Sequence, residues 1–402
     1  MPQSAPHTSA TREVFLDFAA ATPMAPEAVE AMLPYLSERF ENPSAPYARA
    51  REARAALEDA RATLAHLMGA KPGNVVLTAG ATEANNLAIA VADGLVVTDA
   101  IEHESILACA EAHGCVTVGV GPDGRVDPRA VADALTPEVG LVSVELANGE
   151  IGTVQPIRKI ADVVALERQR RLETGETRPL YLHTDASQAA ATLSVNVSAL
   201  RADLVTLSAA KVYGPKQMGL LWAADGVRLR PLVRGGGQES GVRSGTENVA
   251  GAIAFARAFR LACDLRTTEA RRLASLRDRL QRSLTDAFPW MVVSGPRSAS
   301  QRLPGLLSVS FPGLEARRLV VLLERSGVSV GTGSACAASR MQVSHVLSAL
   351  GLDARTAAGS LRITLGRPTT DDDVAYAAQA IASAVREECA RVGLDARTGE
   401  RA

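Results

Sequence analysis

Residues 181–216 read YLHTDASQAAATLSVNVSALRADLVTLSAAKVYGPK. Two apolar runs, YLHT (181–184) and LVTLS (204–208), have the length and composition of buried strands. Asp185 directly follows the first, and Lys211 stands three residues beyond the second. A carboxylate that ends an apolar strand is costly unless it meets a cation or a strong donor. A protonated ring nitrogen of a cofactor would serve, and so would a neighbouring arginine. Lys211 lies in a segment otherwise free of charge, where desolvation favours the free amine that a Schiff base requires.

Outward from this stretch the same pattern repeats. VVLT (75–78), LVVT (95–98), VTVGV (116–120) and LVSVEL (141–146) are further apolar runs, and helical stretches separate most of them. Within Tyr47 to Met68, Leu57, Ala60, Leu64, Leu67 and Met68 recur at helical spacing, while Arg51, Arg54, Glu58 and Arg61 face away. Strands alternating with helices, nearly all apolar, predict a mainly parallel sheet covered on both faces. A long helix over about 246–287 follows the Gly-rich segment 235–245. Beyond it the chain reads as a second unit: apolar runs at 290–293 and 306–311, a helix near 314–326, a small-residue loop at 331–340, a strand at 361–365 and a closing helix. Thr370, with Asp373 three residues on, caps that last helix. Val374, Ala378, Ile381, Val385 and Cys389 form its apolar stripe. The expected organisation is a flexible tail (1–13), a large α/β domain (14–260) and a smaller α+β C-terminal domain (261–395). The first residues after the tail are candidates to pack on the small domain.

Composition narrows the function. The 402 residues are 47% hydrophobic and 22% charged, with a net charge of −1, so nothing favours nucleic acid or an anionic membrane. No apolar run is long enough to span a bilayer, and the first thirteen residues lack the pattern of a secretory signal. A cytoplasmic protein is expected. Of the 43 basic residues only four are lysines: Lys71, Lys159, Lys211 and Lys216. Lys211 is the candidate by elimination, since the others fall in a Pro-Gly turn, on a charged helix face and in the following turn. The five cysteines, Cys109, Cys115, Cys263, Cys336 and Cys389, are odd in number and contain no C-x-x-C pair. They fit neither a disulfide framework nor a zinc site, and no metal is expected. Cys336 alone sits among Gly, Ser, Thr and Ala, where a thiol is accessible for nucleophilic work. Finally, Gly80-Ala81-Thr82 follows the run 75–78 and opens a helix. It is a plausible phosphate cradle, or simply a capped helix start.

Taken in order along the chain, several strings are more specific than any of these alone. They are Gly80-Ala81-Thr82-Glu83-Ala84-Asn85-Asn86, Glu102-His103, Glu150-Ile151-Gly152, His183-Thr184-Asp185-Ala186-Ser187-Gln188, Ser208 with Lys211, Gly235-Gly236-Gly237-Gln238-Glu239, Arg243-Ser244-Gly245-Thr246-Glu247-Asn248, Gly333-Ser334-Ala335-Cys336 and Leu361-Arg362. From about Phe15 to Val385 the sequence resembles the cysteine desulfurases. These are fold-type I pyridoxal-phosphate enzymes of the class V aminotransferase group, here of the nitrogen-fixation and iron–sulfur-cluster type.

The resemblance implies a role for each matched position. Lys211 would hold pyridoxal phosphate covalently and move the substrate Cα proton. Asp185 would pair with the pyridine nitrogen, Gln188 with the phenolate oxygen, and His103 would stack on the ring and move protons. Ala81, Thr82 and Ser208 would bind the phosphate, with Thr246 reaching it from a partner subunit, which implies a homodimer. Arg362 would clamp the carboxylate of L-cysteine. Cys336 would take the sulfur as a persulfide, release alanine, and pass the sulfur to an acceptor protein. Three positions depart from the pattern. Ala210 stands where the family has histidine, which removes a charge-assisted donor worth about 1.5–3 kcal/mol of phosphate binding. Gly149 replaces an asparagine that helps seat the substrate carboxylate, and Tyr47 replaces a histidine. These changes keep open a related selenocysteine lyase, C–S β-lyase or aminotransferase, and a non-catalytic sulfur-relay scaffold.

Overall fold

The computed structural model describes residues 12–333 and 344–401. The chain divides into two compact units, residues 21–271 with 295–304, and residues 12–20 with 272–294 and 305–401.

The first strand of the chain, β1 (Val14–Leu16), belongs to the smaller unit. The larger unit carries β2 (Val75–Thr78), β3 (Leu95–Asp99), β4 (Cys115–Val118), β5 (Val139–Ser143), β6 (Tyr181–Asp185), β7 (Leu204–Ser208) and β8 (Gly219–Ala223). They form one sheet in the order β2-β8-β7-β6-β5-β3-β4. Strands β3 to β7 pair in parallel, and β8 runs antiparallel to both β2 and β7. Every residue of β2, β5, β7 and β8 is buried, as expected of a sheet with helices on both faces. Leu87, Ala88 and Ile89 of the helix Ala81–Ile89 pack with Val76, Val96, Leu141, Leu204 and Leu221 of the sheet. This is the mainly parallel, helix-flanked sheet expected from the sequence. The antiparallel β8 is an addition to the runs read from sequence.

In the smaller unit, β9 (Val292–Ser294), β10 (Leu306–Ser310) and β12 (Ser360–Thr364) form an antiparallel sheet in the order β12-β10-β9. A separate parallel pair joins β1 to β11 (Val328–Val330). Leu319 and Leu323 of the helix Ala316–Arg325 and Val374, Ile381 and Val385 of the helix Asp371–Val392 close this core with Leu307 and Val309. Phe288 meets Phe311 edge-on, with ring centroids 5.7 Å apart. The closing helix has a reciprocal capping box. Thr370 Oγ1 accepts from the Asp373 N–H at 3.1 Å, and Asp373 Oδ2 accepts from the Thr370 N–H at 2.9 Å.

Candidate active site

The carboxyl ends of β2, β6 and β7 bring most of the expected site residues into the larger unit. Gly80, at φ +123, is the N-cap of the helix Ala81–Ile89, and among the described residues no side chain caps this helix. Only glycine takes that backbone geometry without strain. It aims the first-turn N–H groups, with Ala81 and Thr82, out of the sheet end. Gly219 opens β8 here because a Cβ at that position would lie 2.7 Å from the Gly80 carbonyl carbon. Ser208, the last residue of β7, pairs with Gly219. Ser208 and the Gly80-Ala81-Thr82 turn therefore share one corner, a donor set suited to a phosphate dianion.

Lys211 follows one turn later, in the 3-10 segment Ala209–Lys211. Its turn is clamped at several points. Thr22 Oγ1 donates to the Ala210 carbonyl at 3.0 Å and accepts from the Tyr213 N–H at 2.9 Å. The Ala209 carbonyl accepts from both Val212 and Gly214, at 3.1 and 2.9 Å. Tyr213 is held at φ +66, a strained conformation for a non-glycine residue. Half-buried Lys211 thus projects from a turn fixed on both sides.

Asp185 ends β6, and its carboxylate is oriented by two donors. Ser187 N–H bonds Oδ1 at 2.9 Å and Asn85 Nδ2 bonds Oδ2 at 2.8 Å. Asn85 is fully buried on the helix Ala81–Ile89, so this bond ties the cradle helix to β6. Two buried oxygens beside Asp185, Asn85 Oδ1 and Ser187 Oγ, have no hydrogen-bond partner among the described residues. His103 is the exposed N-cap of the helix Glu104–His113, and its Nδ1 accepts from the Ser105 N–H at 3.1 Å. Gln188 is half-buried, and a Cβ on Gly149 would fall 2.8 Å from Gln188 Nε2. Glycine at 149 therefore leaves the Gln188 amide where it is, and an asparagine there would displace it. Thr246 is exposed at the rim of a cavity of about 190 Å³ lined also by Thr78, Ala79, Met218 and Arg243.

Beneath this surface lies an acidic interior. Burial pushes Asp99 up to about 7, and burial together with Asp99 and each other's neighbours pushes Glu102 and Glu145 well above the usual carboxylate range. Asn148 Nδ2 donates to Glu145 Oε1 at 2.7 Å and to the Ile101 carbonyl at 2.9 Å. Its Oδ1 accepts from the Glu150 and Ile151 N–H groups, which sets the turn containing Gly149. Buried His183 on β6 is pushed down to about 4 by desolvation and sits between Ser143 and Thr206 hydroxyls at 2.9 and 3.0 Å.

The Gly-rich segment is pinned by charge. Arg61 makes a bidentate pair with Glu239, at 2.6 and 2.7 Å, and Glu239 also accepts from the Leu77 N–H of β2 at 2.9 Å. Arg243 Nε pairs with Glu83 Oε1 at 2.9 Å, while Glu83 Oε2 accepts from the Ala79 N–H at 2.8 Å. In the smaller unit Arg362 is buried on β12 and pairs with Asp17. Cys336 lies outside the described residues. Burial pushes the thiols of Cys109, Cys263 and Cys389 up.

The aminotransferase class-V family profile matches residues 14–376. A cysteine desulfurase IscS from Dictyoglomus turgidum is 39% identical over 379 residues, covering 91% of this chain and 92% of that protein. The chain belongs to the class-V aminotransferase family, in its cysteine desulfurase branch. A cysteine desulfurase IscS 1 from Archaeoglobus fulgidus is 37% identical over 372 residues, covering 90% of this chain and 94% of that one. Among solved structures, a NifS-like protein superposes with a TM-score of 0.84 at 30% identity, over 94% of this chain and all of that chain. SspA, solved in complex with cysteine, gives a TM-score of 0.73 at 29% identity, over 88% of this chain and 98% of its own. For a class-V family member, the signals missed in the sequence are Asn85, Ser105, Thr22 and Asp17. The first two stood inside or beside quoted motifs, and nothing in their spacing gave them partners. Among the described residues no helix is long and apolar enough to cross a membrane.

Proposed function

We propose that the chain is a cytoplasmic, pyridoxal-phosphate-dependent L-cysteine desulfurase that forms alanine and hands the sulfur to an acceptor protein. The observation that carries this reading is the Asp185 carboxylate at the end of β6, held by Asn85 and Ser187. Beside it, β7 ends in Ser208 and the clamped Lys211 turn. The residues fit the cofactor by their chemistry. There is a carboxylate with fixed oxygens for the pyridinium, an uncapped helix start with Thr82 and Ser208 for the phosphate, and an amine on a rigid turn. When bound, pyridoxal phosphate supplies an electron sink that acidifies the substrate Cα.

The chain's own groups do the rest. Lys211 Nζ would hold the cofactor, and the same amine would take and return the Cα proton. Asp185 would hold the ring nitrogen, Gln188 the phenolate oxygen, and His103 would lie against the ring. Arg362 takes the substrate carboxylate. The Cys336 thiolate attacks the substrate sulfur, forming an S–S bond. The C–S bond breaks with its electron pair on Cβ, which is protonated as alanine forms, and a persulfide stays on Cys336.

A homodimer, with Thr246 completing the phosphate site of its partner, is supported by an apolar strip on the larger unit. Leu33, Leu36, Phe40 and Tyr47 are 53%, 58%, 69% and 53% exposed within fifteen residues of chain. Such a patch favours burial against a second copy. The test is turnover of L-cysteine by purified protein with pyridoxal phosphate and a thiol reductant. Alanine and sulfide in equal amounts support the reading. Pyruvate and ammonia would make the chain a β-lyase instead.

A further inference from the structure

Four side chains run in one hydrogen-bonded line through the larger unit. Asn85 Nδ2 lies 2.8 Å from Asp185 Oδ2 and 2.8 Å from Ser105 Oγ, and Ser105 Oγ lies 2.8 Å from His103 Nδ1. Asn85 is fully buried and Ser105 nearly so. The direction of every proton in the line follows from its first member. Asp185 Oδ2 accepts here, so the asparagine presents its amide N–H₂ and not its oxygen. The other N–H of the same group then points at Ser105 Oγ. With its oxygen occupied as acceptor, the serine hydroxyl donates onward to His103 Nδ1. That nitrogen already accepts the Ser105 N–H at 3.1 Å, since His103 caps the helix Glu104–His113. Two donors on Nδ1 leave the imidazole proton only Nε2.

We propose that Asn85 and Ser105 are positioning residues that hold His103 as the Nε2–H tautomer, tied through Asn85 to the carboxylate of Asp185. With Nδ1 occupied, His103 enters the chemistry as a proton donor through Nε2, and it draws no proton from Ser105 or Asp185. The catalytic consequence rests on the desulfurase reading above. The tautomer itself rests only on the chain.

The test uses the full chain without added cofactor, labelled with ¹⁵N in its histidine rings, His103 being assigned by loss of its signals in His103→Gln. The wild type is expected to show an unprotonated Nδ1 and a protonated Nε2. Ser105→Ala removes one of the two donors, a net bond of about 1 kcal/mol, so the tautomer ratio shifts about fivefold toward Nδ1–H. Asn85→Ala moves it the same way, while Ser105→Thr, which keeps the hydroxyl, holds the wild-type ratio. Unfolding curves of each variant separate misfolding from the local effect. A wild type with Nδ1–H dominant, or a ratio untouched by Ser105→Ala, overturns the proposal. In the loaded enzyme Ser105→Ala is expected to lower kcat about fivefold at unchanged KM. A wild type inactive on cysteine that retains the expected ring signals supports the network and overturns the desulfurase reading alone.

Discussion

Asp17 Oδ1 accepts from Arg362 Nη2 at 2.8 Å, with the two side chains only 19% and 7% exposed. Residues 345 positions apart are joined because β1 and β12 flank β11: β1 pairs with β11, and Gly331 next to β11 bridges to Arg362. The pair fixes one edge of the guanidinium, so under the proposed function a substrate carboxylate would meet an oriented fork and not a mobile one. Asp17→Ala is expected to raise KM for cysteine about tenfold, with kcat little changed. It should also destabilise the protein by about 1–3 kcal/mol, because a buried charge loses its partner. Asp17→Asn keeps an acceptor and should lose less on both counts. Steady-state kinetics and urea unfolding read the two effects. An unchanged KM in Asp17→Ala would remove the positioning role.

Thr22 is expected to control the rigidity of the Lys211 turn. Thr22→Val preserves shape but abandons the Tyr213 N–H and one of two bonds to the Ala210 carbonyl. A buried donor left unpaired costs about 1–3 kcal/mol, and the φ of Tyr213 loses its restraint. Thr22→Ser should restore most of the stability and the rate, as measured by thermal unfolding and kcat. If the serine variant behaves like the valine one, the hydroxyl is not what matters.

Arg61 and Glu239 are 9% and 4% exposed, so breaking their pair exposes the cost of a lone buried charge. Arg61→Ala or Glu239→Ala is expected to destabilise by about 3–5 kcal/mol, and Arg61→Lys to recover little because lysine cannot match the bidentate fork. Glu239 and Ser240 both have positive φ, at 48° and 56°. The double variant should cost less than the two single losses added together, measured as a double-mutant cycle.

Asp99 gives a pH signature. Its folded-state value near 7 lies above the usual carboxylate range, so the native protein holds a proton that the unfolded chain has released. Stability linked to that proton is full below about pH 4 and declines as pH rises to about 7. Asp99→Asn removes the decline. It is expected to raise Tm by roughly 2–4 °C at pH 8 and to change it little at pH 5, read by calorimetry at the two values. A gain of the same size at both values would mean that the side chain acts by packing and not by charge.

Much of this was legible in residues 181–216 and in the closing helix. Strand ends followed by Asp185 and Lys211 carry a local signal, and so does the Thr370–Asp373 box, because each depends on neighbours along the chain. Strand β8 was missed although Gly219–Ala223 is an apolar run of the same kind as those read as strands. Partners such as Asn85 with Asp185 or Asp17 with Arg362 lie 100 and 345 residues apart, and only the fold brings them together. The positive φ of Tyr213 and Glu239 was equally hidden, since neither residue type announces it.

The central claim is sulfur transfer to Cys336, and a single-turnover experiment tests it most directly. Loaded enzyme is mixed with less than one equivalent of L-cysteine and no reductant, quenched, alkylated and mapped by mass spectrometry, with alanine measured in the same sample. The account predicts one persulfide, on the Cys336 peptide, for each alanine formed, and no alanine from Cys336→Ala. Alanine formed at the wild-type rate by Cys336→Ala would contradict it.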